Sequence, residues 1–295
     1  NKKIFYHRQK LNYMKKRILI IGSTGIISTN LQIKLDKENL KYSVIGRREI
    51  NLKSSKSFKY LRKRVNKDDI VVFISAEAPA KNTEMFINNI KMCENVCKAL
   101  KGKKINKLIY ISSDAVYSDS PKRINEKSET LPNSIHGMMH LTREIILKIN
   151  IKNKLCILRP TLIYGNGDTH GGYGPNKFLQ LAKKNKDIIL FGKGEERRDH
   201  IYIDDLINIL LSSIKGNKFG VYNLASGKIN SFSKIAKIVV FLSKSKSKII
   251  NTKRIGLMPH NGYRPFDINL IKKNFKNIEL CSIKNGIKKY LRKLS

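Results

Sequence analysis

Ile18-Leu19-Ile20-Ile21-Gly22-Ser23-Thr24-Gly25-Ile26-Ile27-Ser28 is the stretch on which the fold turns. Four apolar residues closed by a glycine read as a short strand buried on both faces. The period then changes, with Ile27, Leu31 and Leu35 recurring at helical spacing. A strand, a glycine-bearing turn and a helix in that order bring backbone N–H groups and the positive end of the helix to one point, where a phosphate-bearing ligand can sit. Gly22 allows the turn, Gly25 lets a ligand approach the backbone, and Ser28 is small enough for the helix to pack closely on the strand. Glycines also mark plain strand-to-helix turns, so the motif takes its force from the strands and helices beyond it.

Further strands are predicted over residues 42–45, 70–74, 108–112 and 155–158, and helices over 84–100 and 134–149. Strand and helix alternate up to Arg159-Pro160, which requires parallel pairing with right-handed crossovers. The expected fold is therefore α/β, a doubly wound, mostly parallel Rossmann sheet, and the first loop becomes a dinucleotide site. The second strand ends in Gly46-Arg47-Arg48. An acidic residue there would hold the ribose 2′-hydroxyl of NAD, whereas arginine suits a 2′-phosphate, so NADP is preferred to NAD and Arg47 is the stronger candidate.

After Tyr164 the texture changes. Gly165-Asn166-Gly167-Asp168 and Gly171-Gly172-Tyr173-Gly174-Pro175 form an irregular stretch, followed by a helix over 178–184, a strand over 188–191, a turn over 192–194, a helix over 204–214, a strand over 221–224 and a basic helical region. The expected division is a dinucleotide-binding domain over 14–163 plus about 200–223. A smaller C-terminal substrate lobe takes about 164–199 and 224–295. Residues 1–13 are expected to be an extension or tail, because Met14-Lys15-Lys16-Arg17 directly precedes the first strand.

The chain has 295 residues with 60 basic and 22 acidic side chains, a net charge of +38. Its 41% hydrophobic content excludes a disordered chain despite that charge, and no run approaches the roughly 20 apolar residues of a membrane span. Lysine supplies 46 of the 60 basic residues, scattered through a chain also rich in Ile and Asn. These three residues share A/T-rich codons, so genome composition accounts for the charge; Lys53, Lys56, Lys59, Lys63 and Lys67 are expected among polar loop residues. No arginine stripe or interleaved aromatic platform appears, which leaves only weak, salt-sensitive, nonspecific nucleic-acid binding. The four cysteines, Cys93, Cys97, Cys156 and Cys281, match neither a disulfide framework nor a zinc spacing and read as buried thiols of a reducing cytoplasm.

Six ordered motifs carry a family resemblance. They are Gly22…Gly25…Ser28, Ser112-Ser113-Asp114-Ala115-Val116-Tyr117, Leu158-Arg159-Pro160 through Tyr164-Gly165, Gly192-Lys193-Gly194 with Arg198-Asp199 and Asp204-Asp205, and Val221-Tyr222-Asn223-Leu224-Ala225-Ser226-Gly227, together with Ser75-Ala76 and Asn89 after the third strand. In these the chain resembles the extended short-chain dehydrogenases/reductases, the NAD-dependent epimerase/dehydratases that act on nucleotide sugars, from about Lys16 to about Phe275. The resemblance implies a nicotinamide cofactor, NADP or NAD, held by Gly22, Thr24, Gly25, Ile26, Ile27, Arg47, Arg48, Ser75 and Ala76. It implies a nucleotide-sugar substrate met by Ser113, Asn176, Lys177, Phe178, Arg198 and Arg264, with Ser113 bonding the oxygen that gains or loses hydride. A cytoplasmic protein and frequent homodimers belong to the same picture.

One departure bears on the chemistry. The family's tyrosine and lysine, four apart on the fifth helix, align with Ser134-Ile135-His136-Gly137-Met138-Met139-His140, so both catalytic positions are histidine. Spacing of four keeps both side chains on one helical face. An imidazole, with an ordinary pKa near 6.5, needs no neighbouring cation to exchange protons near neutrality, and His140 can still bond the cofactor's ribose. Imidazole is also roughly 2 Å shorter than a phenol, whereas a general base must come within about 3 Å of its proton. The competing readings are a silent NADP- or nucleotide-binding member, an RNA-binding member, and a two-histidine metal site for which no third ligand is placed. His170 and His200 are expected on solvated loops of the substrate lobe. A dehydratase of this family carries Asp-Glu after the catalytic serine or threonine; Asp114-Ala115 lacks the glutamate, which favours an epimerase or a 4-ketoreductase.

Overall fold

A computed structural model describes residues 16–168 and 171–294. The expected tail over 1–13 and His170 lie outside the described residues.

The chain begins with β1 (Ile18–Ile21), α1 (Ile26–Lys37), β2 (Tyr42–Ile45), α2 (Ser57–Arg64), β3 (Ile70–Phe73), α3 (Thr83–Leu100) and β4 (Lys107–Ile111). A single 3₁₀ turn at Asp114–Val116 leads towards α4 (Ile135–Ile151), β5 (Leu155–Pro160), β6 (Leu162–Tyr164), α5 (Pro175–Lys183), β7 (Ile188–Phe191) and β8 (Arg197–Tyr202). The remaining elements are α6 (Ile203–Lys215), β9 (Gly220–Leu224), β10 (Ile229–Ser231), α7 (Phe232–Ser243), β11 (Ile249–Thr252), β12 (Tyr263–Arg264), α8 (Asn269–Asn274) and α9 (Ile283–Leu294).

The six-stranded sheet runs β2-β1-β3-β4-β5-β9. Its first five strands pair in parallel, with Ile18 opposite both Tyr42 and Ile70, and Ile109 opposite Cys156. The apolar runs of β1 and β3 are buried at every position, because helices cover both faces of a parallel sheet. Successive crossovers leave β1 in opposite directions, to β2 on one side and later to β3 on the other. That reversal opens a crevice beyond the carboxyl ends of β1 and β3, where α/β sheets take their ligands.

Contacts divide the chain into two units. The first holds the residues up to Ser118, Glu129–Arg159 and Ile207–Tyr222; the second holds Asp119–Ser128, Pro160–Leu206 and Asn223–Ser295. In the second, β10, β8 and β12 form one sheet with β6 also on β8, and β7 pairs with β11.

Several elements differ from expectation. The lysine-rich stretch read as loop contains α2, whose Leu61 is buried while Lys59 and Lys63 remain exposed. Pro175 opens α5 earlier than predicted, since its fixed φ suits the first helical turn. The strands β6, β10 and β12 are too short, and β8 too polar, to give an apolar period to read. All four cysteines are free and buried. No helix among the described residues is long and apolar enough to cross a membrane.

Candidate active site

The loop after β1 is held open by its glycines. Gly22 has φ +119°, and a Cβ there would meet the Ser75 backbone nitrogen at 2.9 Å, so the loop lies against the end of β3. Ser28, fully buried, donates its hydroxyl to the Gly22 carbonyl at 2.5 Å and fixes the turn to α1. Nothing lies within 4 Å of the position a Gly25 Cβ would take. The start of α1 has no side-chain cap and no acidic residue in its first turn. Its first N–H groups therefore remain available to an anion.

Beside this loop is a cleft of about 790 Å³ lined by Gly22, Thr24, Arg47, Arg48, Ser75 and Ala76, among others. Ile26 adjoins the loop partly exposed, and Ile27 is in the core. Glu77 also lines the cleft, accepting from Lys53 at 3.0 Å, Arg47 at 3.3 Å and Asn88 at 3.1 Å. Burial opposes its charge, but the bonds from Lys53 and Asn88 and the charges of Lys53 and Arg47 prevail and hold its carboxyl below the usual range. Asn89 clamps the same segment, accepting from the Glu77 N–H and donating to the Glu77 carbonyl, both at 3.0 Å.

α4 starts differently. Ser134 caps it by accepting from the Gly137 N–H at 3.1 Å. A Cβ on Gly137 would overlap the Ala115 carbonyl oxygen, so only glycine lets the helix lie against the 3₁₀ turn after Ser113. His136, on the first helical turn, is thereby brought beside the Ser113 segment, and the charge of Asp114 acts on it. Its Nδ1 accepts from the Ala80 N–H at 3.3 Å. His140 is buried, and its Nδ1 is 2.7 Å from the Tyr110 hydroxyl. The two imidazoles meet edge to face with ring centres 4.7 Å apart.

Both histidines are held below the ordinary imidazole value. Burial is the chief cause for each; for His140 the charges of His136 and Arg143 add to it. Ser113, partly exposed, accepts from the Ala115 N–H at 3.2 Å. One turn beyond His140, buried Glu144 accepts from Ser112 Oγ at 2.6 Å and from Arg159 Nε and Nη2 at 2.8 and 2.5 Å, which ties α4 to the ends of β4 and β5. No cluster of metal-ligating side chains occurs among the described residues.

In the second unit the expected substrate residues are held by their neighbours. Asn176 donates to Asp168 at 2.7 Å and accepts from the Gly165 N–H at 3.0 Å; Lys177 follows it in α5, and Phe178 is buried there. Arg198 pairs with Glu196 at 3.2 Å, and Arg264 with Asp119 at 3.0 Å. His200 was expected on a solvated loop but is buried on β8, between Tyr164 and Phe232. Every residue of β8 from Arg198 to Tyr202 is buried, so the strand is covered on both faces although it reads as polar. Burial and the Arg198 charge push its pKa down to about 3.

Sequence reasoning missed Tyr110, Arg143 and Glu77. Tyr110 was hidden in an apolar strand. Arg143 had one legible signal, its place three residues after His140 on the same helical face.

A parallel sheet with a glycine turn at its crossover defines a Rossmann-type α/β protein. More narrowly, residues 18–225 match the NAD dependent epimerase/dehydratase family, and the chain belongs to that family. It is similar to the UDP-N-acetyl-alpha-D-glucosaminuronate decarboxylase of Bacillus cytotoxicus, 25% identical over 288 residues covering 84% of this chain and 86% of that one. Among solved structures, the UDP-glucuronic acid 4-epimerase of Bacillus cereus, in complex with UDP-glucuronic acid and NAD, has a TM-score of 0.79 at 22% identity, covering 95% of this chain and 100% of that one. The dTDP-4-dehydrorhamnose reductase of Bacillus anthracis, in complex with NADP, also has a TM-score of 0.79, at 20% identity and the same coverage. At these identities the structural likeness speaks for the fold.

Proposed function

We propose that the protein is an NAD(P)-dependent enzyme that exchanges hydride between a nucleotide-linked sugar and nicotinamide, an epimerase or a 4-ketoreductase, with His136 acting on the reacting sugar oxygen in the place of the family's tyrosine. The observation that supports this is the close approach of α4 at Gly137 to the turn after Ser113, with His136 on the first turn of that helix and under the charge of Asp114. His136 commits Nδ1 to Ala80 and leaves Nε2 for a ligand.

The glycine loop fits a dinucleotide, since nothing lies within 4 Å of the position a Gly25 Cβ would take and a ligand can come against the backbone there. Gly22, Thr24, Gly25, Ile26 and Ile27 would hold the pyrophosphate through backbone N–H groups at the uncapped start of α1. Ser75 and Ala76 would border the adenosine. Arg47, Arg48 and Lys53 around the cleft favour a 2′-phosphate and hence NADP, although Glu77 competes for two of these cations. When bound, the nicotinamide would supply the carbon that takes or gives hydride. Arg198 and Arg264 are the candidates for the sugar-linked diphosphate, which must compete with Glu196 and Asp119, and Asn176, Lys177 and Phe178 those for the nucleotide.

A panel of UDP- and dTDP-linked sugars, offered as hydroxyl and keto forms with NADPH and NADP+, tests this by absorbance at 340 nm and product NMR. Turnover of at least one sugar is expected. Cofactor binding with neither an absorbance change nor an altered sugar in the NMR spectra across the panel would favour a silent nucleotide-binding member, a reading that the inward hydrogen bond of His140 supports.

A further inference from the structure

The two arginines proposed for the diphosphate are neutralised in the same way. Arg198 on β8 pairs with one oxygen of Glu196 at 3.2 Å, and the other oxygen meets Arg254 at 3.9 Å. Arg264 on β12 donates to Asp119 Oδ1 at 3.0 Å, and the same oxygen meets Nδ1 of His260. Arg198 and Arg264 are buried, whereas Arg254 and His260 are partly exposed and lie on the segment between β11 and β12. Each carboxylate is therefore shared between one buried arginine and one side chain of that segment.

The segment is tied at its two ends. At the first, Arg254 donates to the Phe191 carbonyl at 3.1 Å and faces Glu195 at 3.8 Å as well as Glu196. At the second, His260 and Asn261 both take left-handed backbone, φ +53° and +51°, before Gly262 at +73°. Successive side-chain-bearing residues are unfavourable in that region and persist only where their surroundings impose it; here that backbone carries the imidazole onto Asp119. Between the ends, Ile255 and Leu257 are 95% and 97% exposed, so the middle is carried by its two anchors.

The sharing is competitive. A carboxylate only accepts, so His260 Nδ1 and Arg264 Nη1 both approach Asp119 as donors, and they stand 3.0 Å from each other. Drawing Arg264 towards another anion relieves that crowding. A diphosphate does this, since a guanidinium fork suits phosphate oxygens, and its added negative charge also attracts Arg254. We infer that residues 253–260 are a ligand-coupled strap: a diphosphate taken by Arg198 and Arg264 leaves Glu196 to Arg254 and Asp119 to His260, and the strap tightens once the ligand is seated. Arg254 and His260 are positioning residues, acting on the ligand through the two carboxylates. The inference rests on the reading of Arg198 and Arg264 as diphosphate ligands and adds to it the device that responds to their occupancy.

Hydrogen exchange of the full-length protein, read by mass spectrometry over peptides spanning 253–262, tests the strap, with inorganic pyrophosphate as the bare diphosphate. Millimolar pyrophosphate should slow exchange there by about fivefold or more. Asp119→Asn and Arg254→Gln should each speed exchange of the strap in the ligand-free protein and reduce the protection that pyrophosphate gives. Asp119→Asn also removes the competitor for Arg264, so by calorimetry pyrophosphate should bind it at least as tightly as the unaltered protein; a merely structural residue would lose order and affinity together. Exchange over 253–262 unmoved by pyrophosphate, ligand-free exchange unmoved by Asp119→Asn, or weaker pyrophosphate binding to that variant would overturn the inference. Protection by pyrophosphate but by no UDP- or dTDP-linked sugar would support the strap and contradict the sugar-nucleotide reading. A nucleotide sugar turned over without slowing exchange would contradict the strap and keep that reading.

Discussion

Two helix starts face different tasks in this molecule. α1 follows Gly25 with no side-chain cap, no acid in its first turn and open space above the loop; α4 follows Ser134, which caps the Gly137 N–H, and packs its first turn against Ala115. The first end is left unsatisfied, and unsatisfied N–H groups bind anions. The second is capped by its own serine, and its ligand-facing chemistry comes from side chains instead. One kind of element thus serves as a binding site through its backbone or as a platform for chemistry, according to whether its cap is filled.

The platform should be the more fragile of the two. Glu144→Gln leaves Arg159 buried without its counter-charge and is expected to destabilise the protein by about 3–5 kcal/mol, measured by urea unfolding. An effect under about 1 kcal/mol would mean that α4 does not depend on that anchor. The open loop should lose ligand as well as some stability. Gly22→Ala forces a side chain into left-handed backbone against Ser75, and an affinity loss for NADPH of about 2–3 kcal/mol is expected by calorimetry.

Proton titration separates the regions further, because the α1 loop from Gly22 to Ser28 contains no ionisable side chain while α4 carries two histidines. A histidine held below its ordinary value keeps stability full above pH 6.5, and that stability is lost as pH falls from there towards the folded value, about 3 for His200. Unfolding free energy should thus drop on acidification below about pH 6.5, by up to about 1.4 kcal/mol per pH unit for each such histidine. Denaturation midpoints at pH 7.5 and 5.5 check this, and His140→Gln should flatten the dependence. The smallest effect concerns cofactor choice. Glu77→Gln releases Arg47 and Lys53, and NADPH affinity relative to NADH should rise by about 0.5–1 kcal/mol. A fall in that ratio would remove the 2′-phosphate from this corner of the cleft.

Legibility divides along the same line. β1, α1 and the strand–helix alternation after them could be read because their apolar periods are uninterrupted and their turns need glycine. The strand Arg197–Tyr202 could not: its charged side chains find partners outside it on burial, Arg198 in Glu196 and Asp199 in Ser226, pairings that no apolar period displays. α2 was hidden because only Phe58 and Leu61 mark its buried side among lysines and arginines. The histidines were visible from their spacing, but their hydrogen-bond partners were not, since Ala80 and Tyr110 come from other segments of the chain.

His136→Phe tests the central claim most directly, with turnover of a keto-sugar nucleotide followed at 340 nm beside NADPH affinity on the same preparation. The account predicts that turnover falls by about 10²–10⁴-fold while cofactor affinity stays as in the unaltered protein. Unchanged turnover would contradict it, since some other group would then be meeting the sugar oxygen.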